Sequence, residues 1–387
     1  MEMKRFHGNE SLRAYSGEDW ETLRSFIVEQ WGPGHPMAER FLFDWQFRGF
    51  GGGRETVRPL LLFIDGELAG FRGIIPGLYQ VPSPEGMQVL PGGSLAMWRL
   101  REEFRGKGLG RIMHDEAERL CPVVTGAGSN PETSVPIYLR KGFRLLESMN
   151  RYLTVLDPEA CVASFGKPAA EVPSPARGKG GEPLAPSGPD ADFLAEIWER
   201  SAFEAGFFSL YRNAEFWRWR ILESPGFRYE TFVDPEGFGF LVAREEKLLE
   251  PAGKPWDGHR SVFRLIDLVP AKASTWQGFE DAPFARFLGR CLDWARETGC
   301  IAADFHCTSG VFGPILSKAG FAREQDLLKG NTPPLPRFFN GGPGPGRPIN
   351  ALAKTPKGVS FERSYMVKSD NDMDRPRRLD ADGNVLY

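Results

Sequence analysis

Residues 103–111 read EFRGKGLGR, with three glycines and three cations in nine positions. The run before it, SLAMWRL (94–100), is apolar enough for a strand. The run after it, IMHDEAERL (112–120), has helical spacing. The glycines therefore mark a strand-to-helix turn. Glycine lets the backbone bend there, and the first amides of the helix have no acceptor within it, so the turn is shaped to wrap an anion.

Working outward, a helix from about Leu109 to Cys121 presents Leu109, Ile112, Met113, Ala117 and Leu120 on one face. CPVVTGAG (121–128) reads as the next strand, the segment leading into YLRKGF (138–143) as a short helix, and FRLLES with RYLTVLD as a closing pair of strands. Upstream, Trp20, Leu23, Phe26, Ile27 and Trp31 recur at helical intervals. PLLLFIDGELAGFRGIIP (59–76) is two apolar strands about Asp65-Gly66, a pair suited to a tight type I′ hairpin. The sum is a mixed α/β unit with hairpins, not a doubly wound parallel sheet.

The chain of 387 residues exceeds one average domain. Cys161 to Asp190 is rich in Pro, Gly, Ala and Ser and reads as a linker. It parts residues 1–160 from 191–370, with a polar tail at 371–387. The halves echo each other. RFLFDWQFRGF around Trp45 answers AEFWRWRILESPGF around Trp219, and PIYLRKGF (136–143) answers PILSKAGF (314–321). NRYLTVLD and RSYMVKSD follow, with Tyr152 and Tyr365 in comparable places. At helical spacing the tryptophan-rich pieces read first as core.

Forty-eight Lys and Arg against 51 Asp and Glu give a net charge of -3, so no overall basic field draws the chain to nucleic acid. No apolar run reaches the roughly 18 residues of a membrane span, and the N-terminus has no apolar leader segment. Five cysteines without a C-x-x-C pair point away from disulfides or zinc and toward a reducing cytoplasm. Asp304, His306 and Cys307 lie close together, but in IAADFHCTS strand alternation turns neighbours to opposite faces, and a packed strand is expected in place of a nucleophile or metal site.

The order helix, hairpin, strand, R-x-x-G-x-G turn, helix, strand, and helix ending in Y-x-x-x-G-F resembles the GNAT superfamily of acyl-CoA-dependent N-acyltransferases. Arg105, Gly108 and Gly110, then Tyr138, Gly142 and Phe143, carry the resemblance. The paired halves resemble its tandem members. The resemblance implies two tandem GNAT-like domains of mixed sheet (α+β), with acetyl-CoA or another acyl-CoA as donor and a small-molecule amine as acceptor. Arg105, Gly106, Lys107, Gly108, Leu109, Gly110 and Arg111 would hold the pyrophosphate, with Gly108 and Gly110 sparing room for its oxygens. Tyr138 matches the general acid. The oxyanion donor is a backbone amide where the strand splays from its neighbour, near Leu100, and Glu102 is the nominal base, ahead of Glu103, His114, Asp304 and His306. Asn130 lies eight positions before Tyr138 where the family's asparagine lies seven before, so its cofactor role does not carry over.

In the second half the turn's place is taken by PAKASTWQGFEDAPF, with Trp276 and the acids Glu280 and Asp281, and Leu316 stands where Tyr138 does. That copy is degenerate and would serve as a wall of the cleft, with the loop 331–350 long enough to cover it. Transfer of an aminoacyl unit, or a non-catalytic module with a vestigial CoA site, are the alternatives.

Overall fold

The computed structural model describes residues 4–5, 9–51, 57–165, 172–175, 181–247, 260–278, 281–308, 310–329 and 348–374. The loop expected over the cleft lies outside them except at its end, as do Glu280 and most of the tail.

The first half supplies β1 (Lys4–Arg5), β2 (Glu10–Ala14), β3 (Leu60–Ile64), β4 (Glu67–Ser83), β5 (Gly86–Leu100), β6 (Val123–Ala127), β7 (Arg144–Leu145) and β8 (Asn150–Val155). Its helices are α1 (Trp20–Trp31), α2 (Arg40–Arg48), α3 (Leu109–Leu120), α4 (Ser134–Arg140) and α5 (Pro158–Phe165). Asp65 and Gly66 both have positive φ, 49° and 84°, between β3 and β4, as the hairpin reading requires. The run SLAMWRL is the end of the much longer β5, which forms a second hairpin with β4.

The second half adds β9 (Phe208–Leu210), β10 (Glu230–Val233), β11 (Gly239–Lys247), β12 (Ser261–Pro270), β13 (Cys300–Cys307), β14 (Ala322–Arg323), β15 (Ala351–Lys354) and β16 (Ser364–Tyr365). Its helices are α6 (Ala191–Trp198), α7 (Ala214–Trp217), α8 (Ala273–Trp276), α9 (Asp281–Glu297), α10 (Phe312–Lys318) and α11 (Glu324–Lys329).

Two mixed sheets result. One runs β1-β2-β3-β4-β5-β6-β15-β7, with β9 joined to β4 and β16 to β9; the other runs β10-β11-β12-β13-β8-β14. The closing strands are exchanged. β15 lies between β6 and β7, with Ala351 opposite Ala127 and Leu352 opposite Leu145. β8 lies between β13 and β14, with Asp304 opposite Leu153 and Ala322 also opposite Leu153. FRLLES and RYLTVLD are thus not a closing pair, since they enter different sheets. Nor is RSYMVKSD the counterpart of NRYLTVLD; ALAK (351–354) holds that place. Apolar alternation fits a strand for either sheet, and only long-range packing chooses between them.

The other echoes have physical counterparts. Phe143 N donates to Tyr138 O at 3.1 Å and Phe321 N to Leu316 O at 2.9 Å, closing α4 and α10 alike, with Gly142 and Gly320 at φ 83° and 90°. Trp45 and Trp219 are both buried. Trp45 Nε1 donates to Trp219 O and Trp219 Nε1 to Trp45 O, each at 2.8 Å. These reciprocal bonds, worth about 1 kcal/mol each, place the two helical segments about a local two-fold and join the halves.

β13 is buried along its whole length, and Asp304 there pairs with Arg151 and Arg264, at 3.0 and 3.1 Å. The network continues through Glu246 and Arg244 to Asp374. The start of the expected polar tail is therefore interior: Asn371, Asp372 and Asp374 are buried, and Asp374 accepts from Arg244 and the Tyr229 hydroxyl. Its charge is matched inside, which composition alone does not reveal. Among the described residues no helix is long and apolar enough to cross a membrane, and no group of three His, Cys, Asp or Glu is placed to hold a metal ion.

Candidate active site

Strand β5 positions the site through an irregularity. Its ladder with β4 pairs Arg72 with Trp98 and Gly73 with Ala96, leaving Met97 as an inserted residue at φ 43°. Its parallel pairing with β6 ends at Leu95 opposite Gly126. The two strands thus diverge from Ala96 to Trp98. Leu100, expected at the splay, lies beyond it, paired with Gly70, and its carbonyl accepts from Arg105 Nε at 3.2 Å. Register shifts of this kind leave no mark in composition, which is why the sequence reading put the opening too late.

The glycine turn follows. Gly106 and Gly108 have φ 76° and 79°, Gly108 caps α3, and a Cβ on either would meet nothing within 4 Å. Among the described residues none of the amides of Gly106, Lys107, Gly108, Leu109 and Gly110 donates to a backbone carbonyl. They lie at the N-terminus of α3, where amides without acceptors favour an anion such as a phosphate. Lys107 lies over the Phe104 ring at 5.4 Å, and Arg111 is exposed at the rim beside Asp115.

Gly110 has a different reason. A Cβ there would stand 3.0 Å from Trp98 Cζ2 and 3.5 Å from Leu100 Cδ1, so it faces the sheet and lets α3 lie close to β5. The expectation that it spares room for phosphate oxygens is corrected. Gly110→Val is expected to cost about 1–3 kcal/mol through overpacking, seen as a lowered Tm.

Behind the turn is a buried cluster. Tyr138 from α4 lies among His114 of α3 (ring centroids 5.0 Å), Phe143 (5.1 Å) and Trp98 (6.3 Å). Arg72 of β4, also buried, donates from Nη2 to the Tyr138 hydroxyl at 2.7 Å and stacks over Trp98 at 4.6 Å. Arg72 was not singled out from the sequence; a lone cation inside the apolar run LAGFRGIIP was the available signal.

His114 is fully buried. Desolvation, then the charges of Arg72, Lys141 and Lys354, push its pKa down to about 2, so the imidazole is neutral at physiological pH. Its Nε2 is 3.0 Å from Glu118 Oε1, yet misaligned, and neither ring nitrogen makes a hydrogen bond. It packs as a neutral ring against Trp98, Tyr138 and Phe143. Glu102 and Glu103 are exposed in a 3-10 turn after β5. Asp304 and His306 lie within the second sheet, and burial drives the His306 pKa well below its usual value. Asn130 accepts from the amides of Glu132 and Thr133 at 2.8 and 3.1 Å, so its side chain turns the chain into α4.

In the second half Trp276 fills the corresponding position. It is fully buried, with ring centroids 4.9 Å from Tyr365, 5.2 Å from Phe207 and Phe312, and 5.6 Å from Trp198, and its Nε1 donates to Pro270 O at the end of β12. Leu316 is core.

This architecture is that of GNAT-fold proteins with two tandem domains. A GCN5-related N-acetyltransferase from Anabaena variabilis superposes with a TM-score of 0.53 at 11% identity, over 89% of this chain and 72% of that one. Saccharomyces cerevisiae N-myristoyltransferase with bound myristoyl-CoA superposes with a TM-score of 0.53 at 11% identity, over 99% of this chain and 84% of that one. No family model and no curated protein matches the sequence.

Proposed function

We propose that the chain is an acyl-CoA-dependent N-acyltransferase whose donor site lies wholly in the first half, using acetyl-CoA or another acyl-CoA and acting on an amine of a small molecule. The observation that carries this is the bulge at Met97, which opens β5 from β6 immediately before a turn of unpaired amides. Similarity of fold to acyltransferases, one of them with bound myristoyl-CoA, supports the same donor class.

In this reading Gly106 to Gly110 hold the pyrophosphate, the helix dipole adding about 0.3–1 kcal/mol, with Lys107 and Arg111 contributing charge at the rim and Arg105 bracing the turn. The oxyanion of the tetrahedral intermediate is stabilised by a backbone amide at the bulge, in the stretch Ala96 to Trp98 in place of Leu100. The amine gives up its proton to Glu102 or to water. The Tyr138 hydroxyl protonates the departing thiolate. The acceptor lies between the halves: Asn350 brackets Ser129 with hydrogen bonds of 3.0 and 2.7 Å, and Met373 Sδ is 2.8 Å from where a Cβ on Gly128 would be. Residues from the C-terminal part thus reach the end of β6, beside the divergence.

The test is thermal denaturation with acetyl-CoA, longer acyl-CoAs and free CoA, where a ligand of the native state raises Tm by mass action. No shift with any of them at saturation rejects the reading. Tyr138→Phe is expected to lower kcat by about 100-fold or more while donor affinity stays near wild type, because a transition-state interaction alone is lost. An unchanged kcat where chemistry limits the rate dismisses Tyr138 as the acid.

A further inference from the structure

Arg72 is a cation in the interior with no carboxylate against it among the described residues. Its surroundings are the faces of Trp98 and Tyr138, its Nη2 hydrogen bond ends on the Tyr138 hydroxyl at 2.7 Å, and its Nε makes no hydrogen bond. Elsewhere in this chain most buried arginines meet acids: Arg151 and Arg264 with Asp304, Arg244 with Asp374, Arg212 with Asp267 and Asp370. Arg220, over the rings of Trp45 and Trp219, donates to the carbonyls of Asn371 and Asp374, so Arg72 differs in ending its hydrogen bond on a phenol. Burying an ion without a carboxylate partner carries a large desolvation penalty, which the hydrogen bond to Tyr138 and the faces of Trp98 and Tyr138 offset in part.

The hydrogen bond also has a direction. A guanidinium can only donate, so it occupies a lone pair of the phenol oxygen and leaves the phenol's own proton to point away from Arg72. Opposite Arg72 in the ladder is Trp98, directly after the bulged Met97. The same cation is therefore held at the strand opening by the residue that ends it, and at the hydroxyl by its hydrogen bond.

We propose that Arg72 is the positioning residue for the Tyr138 acid, orienting its proton toward the departing sulfur and stabilising the phenolate formed when that proton leaves. This rests on the acyltransferase reading above. In the step, the amine nitrogen bonds to the thioester carbonyl carbon and gives up its surplus proton to Glu102 or to water, and the C–S bond breaks with its electron pair on sulfur. The phenol proton passes to that sulfur, and the phenolate is reprotonated from solvent. The charge created on the phenol oxygen lies beside the guanidinium already donating to it, so no group moves to receive it.

The experiment uses the full chain with acetyl-CoA or octanoyl-CoA as donor and hydroxylamine as acceptor, reading enzyme-dependent release of the CoA thiol, with a thermal-shift titration of the same donors alongside. Arg72→Gln is expected to lower kcat at least about tenfold with KM for the donor within about threefold, and Arg72→Lys to recover part of the loss. Added to Tyr138→Phe, Arg72→Gln should lower kcat no more than about twofold further, because both act on one proton. Losses that multiply in the double variant, or an unchanged kcat in Arg72→Gln, overturn the proposal. Should Arg72→Gln not fold, Arg72→Lys with and without Tyr138→Phe makes the same comparison. A wild-type Tm that moves with neither donor overturns the acyltransferase reading and this proposal with it. Donor-induced stabilisation together with a fully active Tyr138→Phe leaves the acyltransferase reading standing and overturns the role of Arg72 alone.

Discussion

Gly108→Val is expected to give a folded protein that binds acyl-CoA at least about tenfold more weakly, a loss of about 1.4 kcal/mol or more. The fold survives because a Cβ at Gly108 meets nothing within 4 Å. The φ of 79° costs a branched residue about 1–2 kcal/mol, confined to one turn. Binding does not survive, because the side chain emerges on the open side of the turn whose amides are unpaired. Gly66→Ala is the control for strain. Gly66 has φ 84°, also with open space around it, but lies in the β3–β4 turn, so it should lower Tm similarly and leave donor binding intact. Thermal shift with acetyl-CoA and longer acyl-CoAs reads both. Wild-type binding by Gly108→Val, or equal loss in the two variants, would show that the donor is gripped elsewhere.

Separating the chain at residue 160 has the largest expected effect. A fragment of residues 1–160 lacks β15, so β6 has an unpaired edge, the short β7 has no neighbour, and β8 is a strand with its own sheet missing. The complementary fragment lacks β8 from between β13 and β14. Exposed edges of this kind template aggregation. Each fragment expressed alone is expected to be insoluble or unfolded, and the two expressed together to recover a soluble complex that acyl-CoA stabilises. A soluble 1–160 fragment with a cooperative thermal transition would show instead that the exchanged strands contribute little.

The local structure around the glycine turn was legible because it depends on near neighbours in sequence. The turn, the helix after it and the Asp65-Gly66 hairpin each depend on residues within a few positions, and glycine φ values follow from the residue type itself. The pairing of Trp45 with Trp219 was visible as an echo, although not as a reciprocal hydrogen bond. What escaped depends on register or on distance. An inserted residue at Met97 shifts the splay away from Leu100 without altering the pattern of SLAMWRL. Gly110 looked like its neighbours in the motif, and only the closeness of Trp98 separates its role from that of Gly108. The partners of Arg72 come from two other elements, Trp98 from β5 and Tyr138 from α4, so nothing near it in sequence announces them.

The crossed strands also set a timetable for synthesis. At roughly 5–20 residues per second, β6 waits on the order of ten seconds or longer before β15 emerges to cover it. Through that interval the nascent chain carries the glycine turn before α3 on a sheet with an open flank, which ribosome-associated chaperones are suited to shield. The second half therefore holds β15 and β16, the last pieces of the first sheet to be made. Truncation of the message before residue 323 would leave both sheets unfinished, whereas truncation between 324 and 350 would leave the second sheet whole and the first one open.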